Sequence, residues 1–193
     1  MRIHGEHEIC RTANVKLESD CKKYVPQLRE DFKHICGYCG KPEEVTTKGF
    51  EPDHFVPYKI DKARKLDYTN LVYSCFTCNR KKLGKWPTED KNRPNDGVVG
   101  FVDPVLKEYD THLGIDKDGN IEYYTSIGEY MYKKAFRFDI RPIKEINKIV
   151  KLINLKDKLY KIKDKLTHKE LLEFMELDKE IGQLHKLLFN KRE

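Results

Sequence analysis

The sequence has no apolar run approaching the roughly 18–20 residues that a membrane-spanning helix needs. Its opening residues, MRIHGEHEIC, lack the apolar stretch of a secretory signal. The expected compartment is therefore the cytoplasm, with no membrane partner. Disulfides are scarce there, so the six cysteines read as metal ligands or free thiols. No internal repeat or low-complexity segment occurs. Apolar residues make up 38% and charged ones 36% of the 193 positions, which allows one modest core under a highly polar surface.

The charge that is present is unevenly placed. Residues 59–93 carry ten basic side chains against four acids, and a second basic block occupies residues 141–193. With a pI near 8.8, this local excess points to a polyanionic partner.

Four segments can be distinguished. Residues 1–34 form an N-terminal segment ending in a helix over about 24–34, since Tyr24, Leu28, Phe32 and Ile35 recur at helical spacing. Residues 35–93 are rich in turn-forming residues and hold the unusual chemistry. Residues 94–140 read as accessory strands and loops: a strand at 98–102, a DKDGN turn at 116–120 and a strand from Ile121. Residues 141–193 form a helical arm. One apolar stripe runs from Ile143 through Ile146, Ile149, Val150, Ile153, Leu159 and Ile162 to Leu166. Thr167 to Glu170 then fits a capping box that starts a second helix bearing Leu171, Leu172, Met175, Leu184 and Leu188. Such a hairpin suits core packing, partner binding or self-association.

Cys36-Gly-Tyr-Cys39 and Cys75-Phe-Thr-Cys78 are two C-x-x-C knuckles. Each presents two thiolates to one ion, and together they complete a closed tetrahedral Zn²⁺ site, which is structural. One such pair alone could be a redox dithiol, but two in one region argue for shared zinc. Cys10 and Cys21 lie outside the pattern. The 35 residues between the knuckles exceed the usual zinc-ribbon gap of about 15–20 and leave room for a β-hairpin.

That interval contains FEPDHFVPYKI, in which Asp53 and His54 are adjacent and so face opposite sides of a strand. Phosphodiester cleavage needs a base for water, a cation at the phosphate and help for the leaving oxygen. His54 suits the first task. Asp53 and the amide of Asn79 are hard oxygen donors for Mg²⁺ or Mn²⁺. Asn70, before Leu71-Val72-Tyr73, could orient His54 or pin the loop. Arg80, Lys81, Lys82 and Lys85 are placed to grip phosphates at a helix start.

Taken in order, CGYC, DHFVP and NLVYSCFTCNRKK resemble the HNH, or ββα-metal, nucleases in their four-cysteine branch. The resemblance covers about residues 35–86. It implies an α+β protein: a zinc-stapled ββα-metal core, here with extra short strands and a C-terminal helical hairpin. It also implies a metal-dependent endonuclease with His54 as general base, Asp53 and Asn79 on the catalytic metal, Asn70 as the middle structural residue and Lys82 on phosphate. The third signature position, often histidine, is Asn79 here. Beyond the motif, the layout of FVDPVLKEYDTHL, a DG turn and a basic helical tail is similar to HNH subunits of Septu-type and retron-linked antiphage systems. That would imply a defence role beside an ATPase subunit, with His112 either a supplementary site residue or structural. DNA is the expected substrate, with RNA left open. Two other readings use the same residues: a non-catalytic zinc module that binds nucleic acid, and an adaptor whose nuclease domain stays silent until a partner docks.

Overall fold

Pro26 lies in the first turn of helix α1 (Val25–Asp31), where its missing N–H has no helical acceptor to lose. The helix buries Leu28, and Phe32 follows it into the core. Asp31 closes the helix as a buried carboxylate, accepting hydrogen bonds from Thr12, Gln27 and Tyr68 at 2.6–2.9 Å. The helix stops short of the expected residue 34 because Lys33 and His34 adopt left-handed φ of 52° and 60°. That reversal turns the chain into the first cysteine knuckle.

The computed structural model describes residues 1–46 and 48–189. The chain divides into two units, one of Met1–Lys117 with Ile121–Arg141 and the other of Asp118–Asn120 with Pro142 onward. In the first unit, strand β1 (Glu51–His54) pairs antiparallel with β2 (Leu71–Ser74), placing Asp53 opposite Val72 and His54 opposite Leu71. All four residues of β2 are buried, and α1 packs against this strand. Helix α2 (Phe76–Lys82) starts directly after Cys75. Leu83 and Gly84, at φ of 34° and 67°, end it. Strand, strand and helix thus form the expected ββα unit, with the cysteine knuckles at its edge.

The accessory region folds onto this unit through aromatic contacts. Tyr38 of the first knuckle meets Phe136 at 4.7 Å between ring centroids, while Phe101 meets Trp86 at 5.8 Å and Phe136 at 5.9 Å. Each buried ring of this size contributes about 1.5–3 kcal/mol by leaving water. Helix α3 (Tyr109–His112) leads into strand β3 (Leu113–Ile115), which pairs antiparallel with β4 (Ile121–Tyr123). Helix α4 (Ser126–Glu129) is capped by the Thr125 hydroxyl and runs on into a π-helical turn, Tyr130–Ala135.

The strand expected at 98–102 does not form; only an isolated bridge joins Asn95 and Gly100. The Asp96 side chain takes the N–H groups of Val98 and Val99 at 2.9 and 2.8 Å, removing donors that a ladder would need. Gly100 has φ of 130°, and a Cβ there would lie 2.3 Å from the Pro94 carbonyl oxygen. This is a turn that demands glycine rather than a strand.

In the second unit, α5 (Ile143–Lys161) and α6 (His168–Phe189) pack as a hairpin. Ile162 and Leu166 of the expected stripe fall beyond α5, in and around a short 3₁₀ turn, Lys163–Lys165. The capping box forms as expected: Thr167 N and Oγ1 donate to Glu170 Oε2 at 2.7 Å, and Glu170 N donates back to Thr167 Oγ1 at 3.4 Å. Lys148 with Glu180 at 2.7 Å, and Lys156 with Asp178, link the helices. The side chain of Leu188 lies outside the described residues.

One carboxylate fastens α1 to β2. Glu43 accepts from Arg29 Nε at 2.6 Å, His34 Nδ1 at 3.0 Å and Tyr73 Oη at 2.6 Å. Burial would raise its pKa, but the donors from Arg29, Tyr73 and His34 outweigh this and bring it from 4.5 down to about 2. A depressed folded pKa contributes stability that is present above the unfolded value and is lost as pH falls through the folded one. Between pH 4.5 and 2, urea midpoints of the native protein should therefore fall more steeply than those of Glu43→Gln. Parallel curves would show that the cluster adds no net stability.

Candidate functional site

Cys36, Cys39, Cys75 and Cys78 are all buried, and their sulfurs lie within 4.8 Å of one another. Cys39 Sγ and Cys75 Sγ are 3.9 Å apart. A tetrahedral Zn²⁺ with Zn–S bonds of about 2.3 Å requires an S···S edge of about 3.8 Å, which the Cys39–Cys75 edge matches, and the four thiols lie close enough together to fit zinc. The backbone N–H of Cys75 donates to Cys36 Sγ at 3.3 Å, a contact of the kind that stabilises thiolate charge. Among the described residues, no other group of three or more His, Cys, Asp or Glu side chains converges in this way.

A cation that the sequence reading missed caps the cluster. Arg141 donates from Nη1 to Cys78 Sγ at 3.2 Å, and its Nη2 lies 3.7 Å from Cys39 Sγ and 4.0 Å from Cys75 Sγ. The guanidinium also stacks on Phe138, at 5.1 Å from the ring centroid. Zn²⁺ held by four thiolates would carry a net charge of −2, which this guanidinium would partly offset. The arginine lies 63 residues beyond the last cysteine, and no local pattern announces it.

The hairpin positions the remaining candidates. The Asp53 carboxylate is buried and receives two donors on Oδ2, Tyr38 Oη at 2.5 Å and Lys82 Nζ at 3.0 Å. Burial, followed by the adjacent Asp53, pushes the Tyr38 phenol well up, so Tyr38 stays protonated and donates. His54 is half-buried, and its Nε2 lies 2.8 Å from the Lys65 carbonyl oxygen. A carbonyl only accepts, so Nε2 carries the proton and Nδ1 keeps its lone pair. Asn70 pins the connecting loop: Oδ1 accepts from Val56 N at 2.8 Å, and Nδ2 donates to Val56 O at 3.0 Å. Asn79 is half-buried on α2, and its Nδ2 donates to Glu51 Oε2 at 2.7 Å. Glu51 is the second residue missed from sequence. It lies two positions before Asp53, on the same face of β1.

Two of the four expected phosphate contacts need correction. Lys82 is 0% exposed, paired with Asp53 and donating to the His54 carbonyl at 2.6 Å, because it shares the buried face of α2 with Cys78, four residues earlier. Lys85 is half-buried and donates to the carbonyls of Lys134 and Ala135 at 2.7 and 3.1 Å, at the end of the π-helical turn. Arg80 and Lys81 are exposed on α2. His112 lies at 2.6 Å from the Thr125 hydroxyl, and burial lowers its pKa.

Residues 36–84 match the family model of the HNH endonuclease. The match begins at the first knuckle and ends just past α2, so this stretch is similar to an HNH endonuclease domain, a family whose name denotes cleavage of nucleic acid. Searches of curated proteins and of solved structures return no match. Nothing supports the layout resemblance of the remaining residues to antiphage subunits. No described helix is long and apolar enough to cross a membrane.

The sulfur cluster leads to a measurable expectation about its cap. Partners just outside a metal site typically alter metal affinity by about 10–100-fold. Arg141→Ala should therefore lose zinc to a chromogenic chelator at least about tenfold faster than the native protein. Equal release rates would reduce the guanidinium contact to a bystander.

Proposed function

We propose that the protein is an endonuclease that hydrolyses phosphodiester bonds in DNA, with a structural zinc in the knuckles and Mg²⁺ or Mn²⁺ at the hairpin. The observation that carries this reading is the His54–Lys65 contact. By spending Nε2–H on a backbone carbonyl, it leaves Nδ1 as the atom that takes a proton from an attacking water. The loop supplying that carbonyl is held by Asn70 through Val56, so the imidazole is oriented by a backbone group that is itself fixed.

The donor set suits a hard cation. With Nδ2 of Asn79 occupied by Glu51, its Oδ1 is the end left to ligate. Both donors to Asp53 fall on Oδ2, which leaves Oδ1 for the same purpose. One carboxylate and one amide match the habit of Mg²⁺, which keeps several waters and takes few protein ligands. When bound, the cation would neutralise charge developing on the phosphate and on the leaving oxygen. Glu51 fixes the Asn79 amide and adds a second acid near it. Arg80 and Lys81, solvated on α2, are placed to hold flanking phosphates.

Purified protein with Mg²⁺ or Mn²⁺ should nick supercoiled plasmid. General-base catalysis typically contributes about 10²–10⁴-fold, so His54→Ala should slow nicking by that much while retaining zinc. Asn79→Ala should raise the Mg²⁺ concentration needed for half-maximal rate. Undiminished nicking by His54→Ala would remove the imidazole from its assigned role.

A further inference from the structure

We propose that Tyr38 and Lys82 are positioning residues that clamp the Asp53 carboxylate, and that Tyr38 ties this clamp to the zinc knuckle. The inference deepens the nuclease reading and rests on it for the metal that Asp53 would meet. Tyr38 lies between the two ligands of the first knuckle and is 1% exposed. Its hydroxyl reaches out of the knuckle to Asp53 Oδ2 at 2.5 Å. Three further features fix the tyrosine itself: the flanking cysteines, the Tyr109 hydroxyl donating to its carbonyl at 2.8 Å, and Phe136 against its ring at 4.7 Å.

Lys82 approaches the same oxygen from α2. Its ammonium lies 3.0 Å from Asp53 Oδ2, 2.6 Å from the carbonyl oxygen of His54 and 5.6 Å from the Phe101 ring centroid. One buried cation therefore holds the side chain of residue 53 and the backbone of residue 54. Rotating the carboxylate out of this position would break both donor contacts to Oδ2 at once. A buried ion pair is weak ground for stability, because an apolar pair of similar volume often serves as well. Fixed orientation is what this arrangement supplies and an apolar pair does not. The tyrosine links that orientation to the knuckle, because its backbone lies between the two cysteines that an ion would draw together.

The test compares native protein with Tyr38→Phe, which keeps the ring and removes the hydroxyl. Zinc content and thermal midpoint are measured first. Mn²⁺ binding is then read by electron paramagnetic resonance without DNA, and plasmid nicking is measured as a function of Mg²⁺. The expected result is full zinc occupancy with Mn²⁺ binding and Mg²⁺ activation about 10–100-fold weaker, the maximal rate falling less than the metal affinity. If Tyr38→Phe cannot hold zinc, Lys82→Met takes its place in the same measurements, since it keeps an unbranched side chain of similar length but cannot form the ion pair. Unchanged Mn²⁺ binding in a zinc-loaded variant would overturn the proposal, as would native protein that binds no Mn²⁺. Native protein that binds Mn²⁺ without nicking DNA contradicts the nuclease reading instead, and the Mn²⁺ ratio still decides the clamp.

Discussion

Two distant turns bring four thiols within reach of one cation, and much of the first unit is arranged around that convergence. Without a metal, burial raises the pKa of Cys36 and Cys78 and keeps them as neutral thiols, which gain little from lying within 4.8 Å of the other two sulfurs. With zinc, the same convergence becomes folding free energy, which a chain so rich in charge needs. The knuckles set where β2 ends and α2 begins, since Cys75 stands at that junction. They also bring Tyr38 under β1. Arg141 adds a third chain segment to the same cluster.

A second constraint operates at the hairpin. The acid of the Asp-His pair is removed from water, whereas the imidazole is only half-buried. A carboxylate so placed must be met by donors, and Tyr38 and Lys82 meet it on a single oxygen. On the neighbouring strand position of the same face, Glu51 engages the Asn79 amide. Each proposed site group is thereby held through one of its two polar atoms: Nε2 of His54, Oδ2 of Asp53 and Nδ2 of Asn79. The other atom of each is assigned to chemistry. This half-and-half use of bidentate side chains is a physical route to preorganisation on a small scaffold.

Much of this was legible because spacing survives folding. Two C-x-x-C pairs converge wherever they sit, and the capping box at Thr167 is a local event. The buried role of Lys82 was written in its i+4 relation to Cys78, and that of Glu51 in its i−2 relation to Asp53, but both were overshadowed by reading charge as surface. Arg141 could not be found this way, because its contact depends on the path of the accessory region. The failed strand at 98–102 shows the opposite error: three valines suggest a ladder, while Asp96 and Gly100 impose a turn.

A single ion joining both knuckles would hold the rest of the first unit in place. Zinc K-edge X-ray absorption on the purified protein tests this directly. Four sulfur scatterers at about 2.3 Å, with no nitrogen or oxygen in the inner shell, are predicted. Mixed sulfur and light-atom ligation, or zinc-free protein that still unfolds cooperatively at the same temperature, would contradict it.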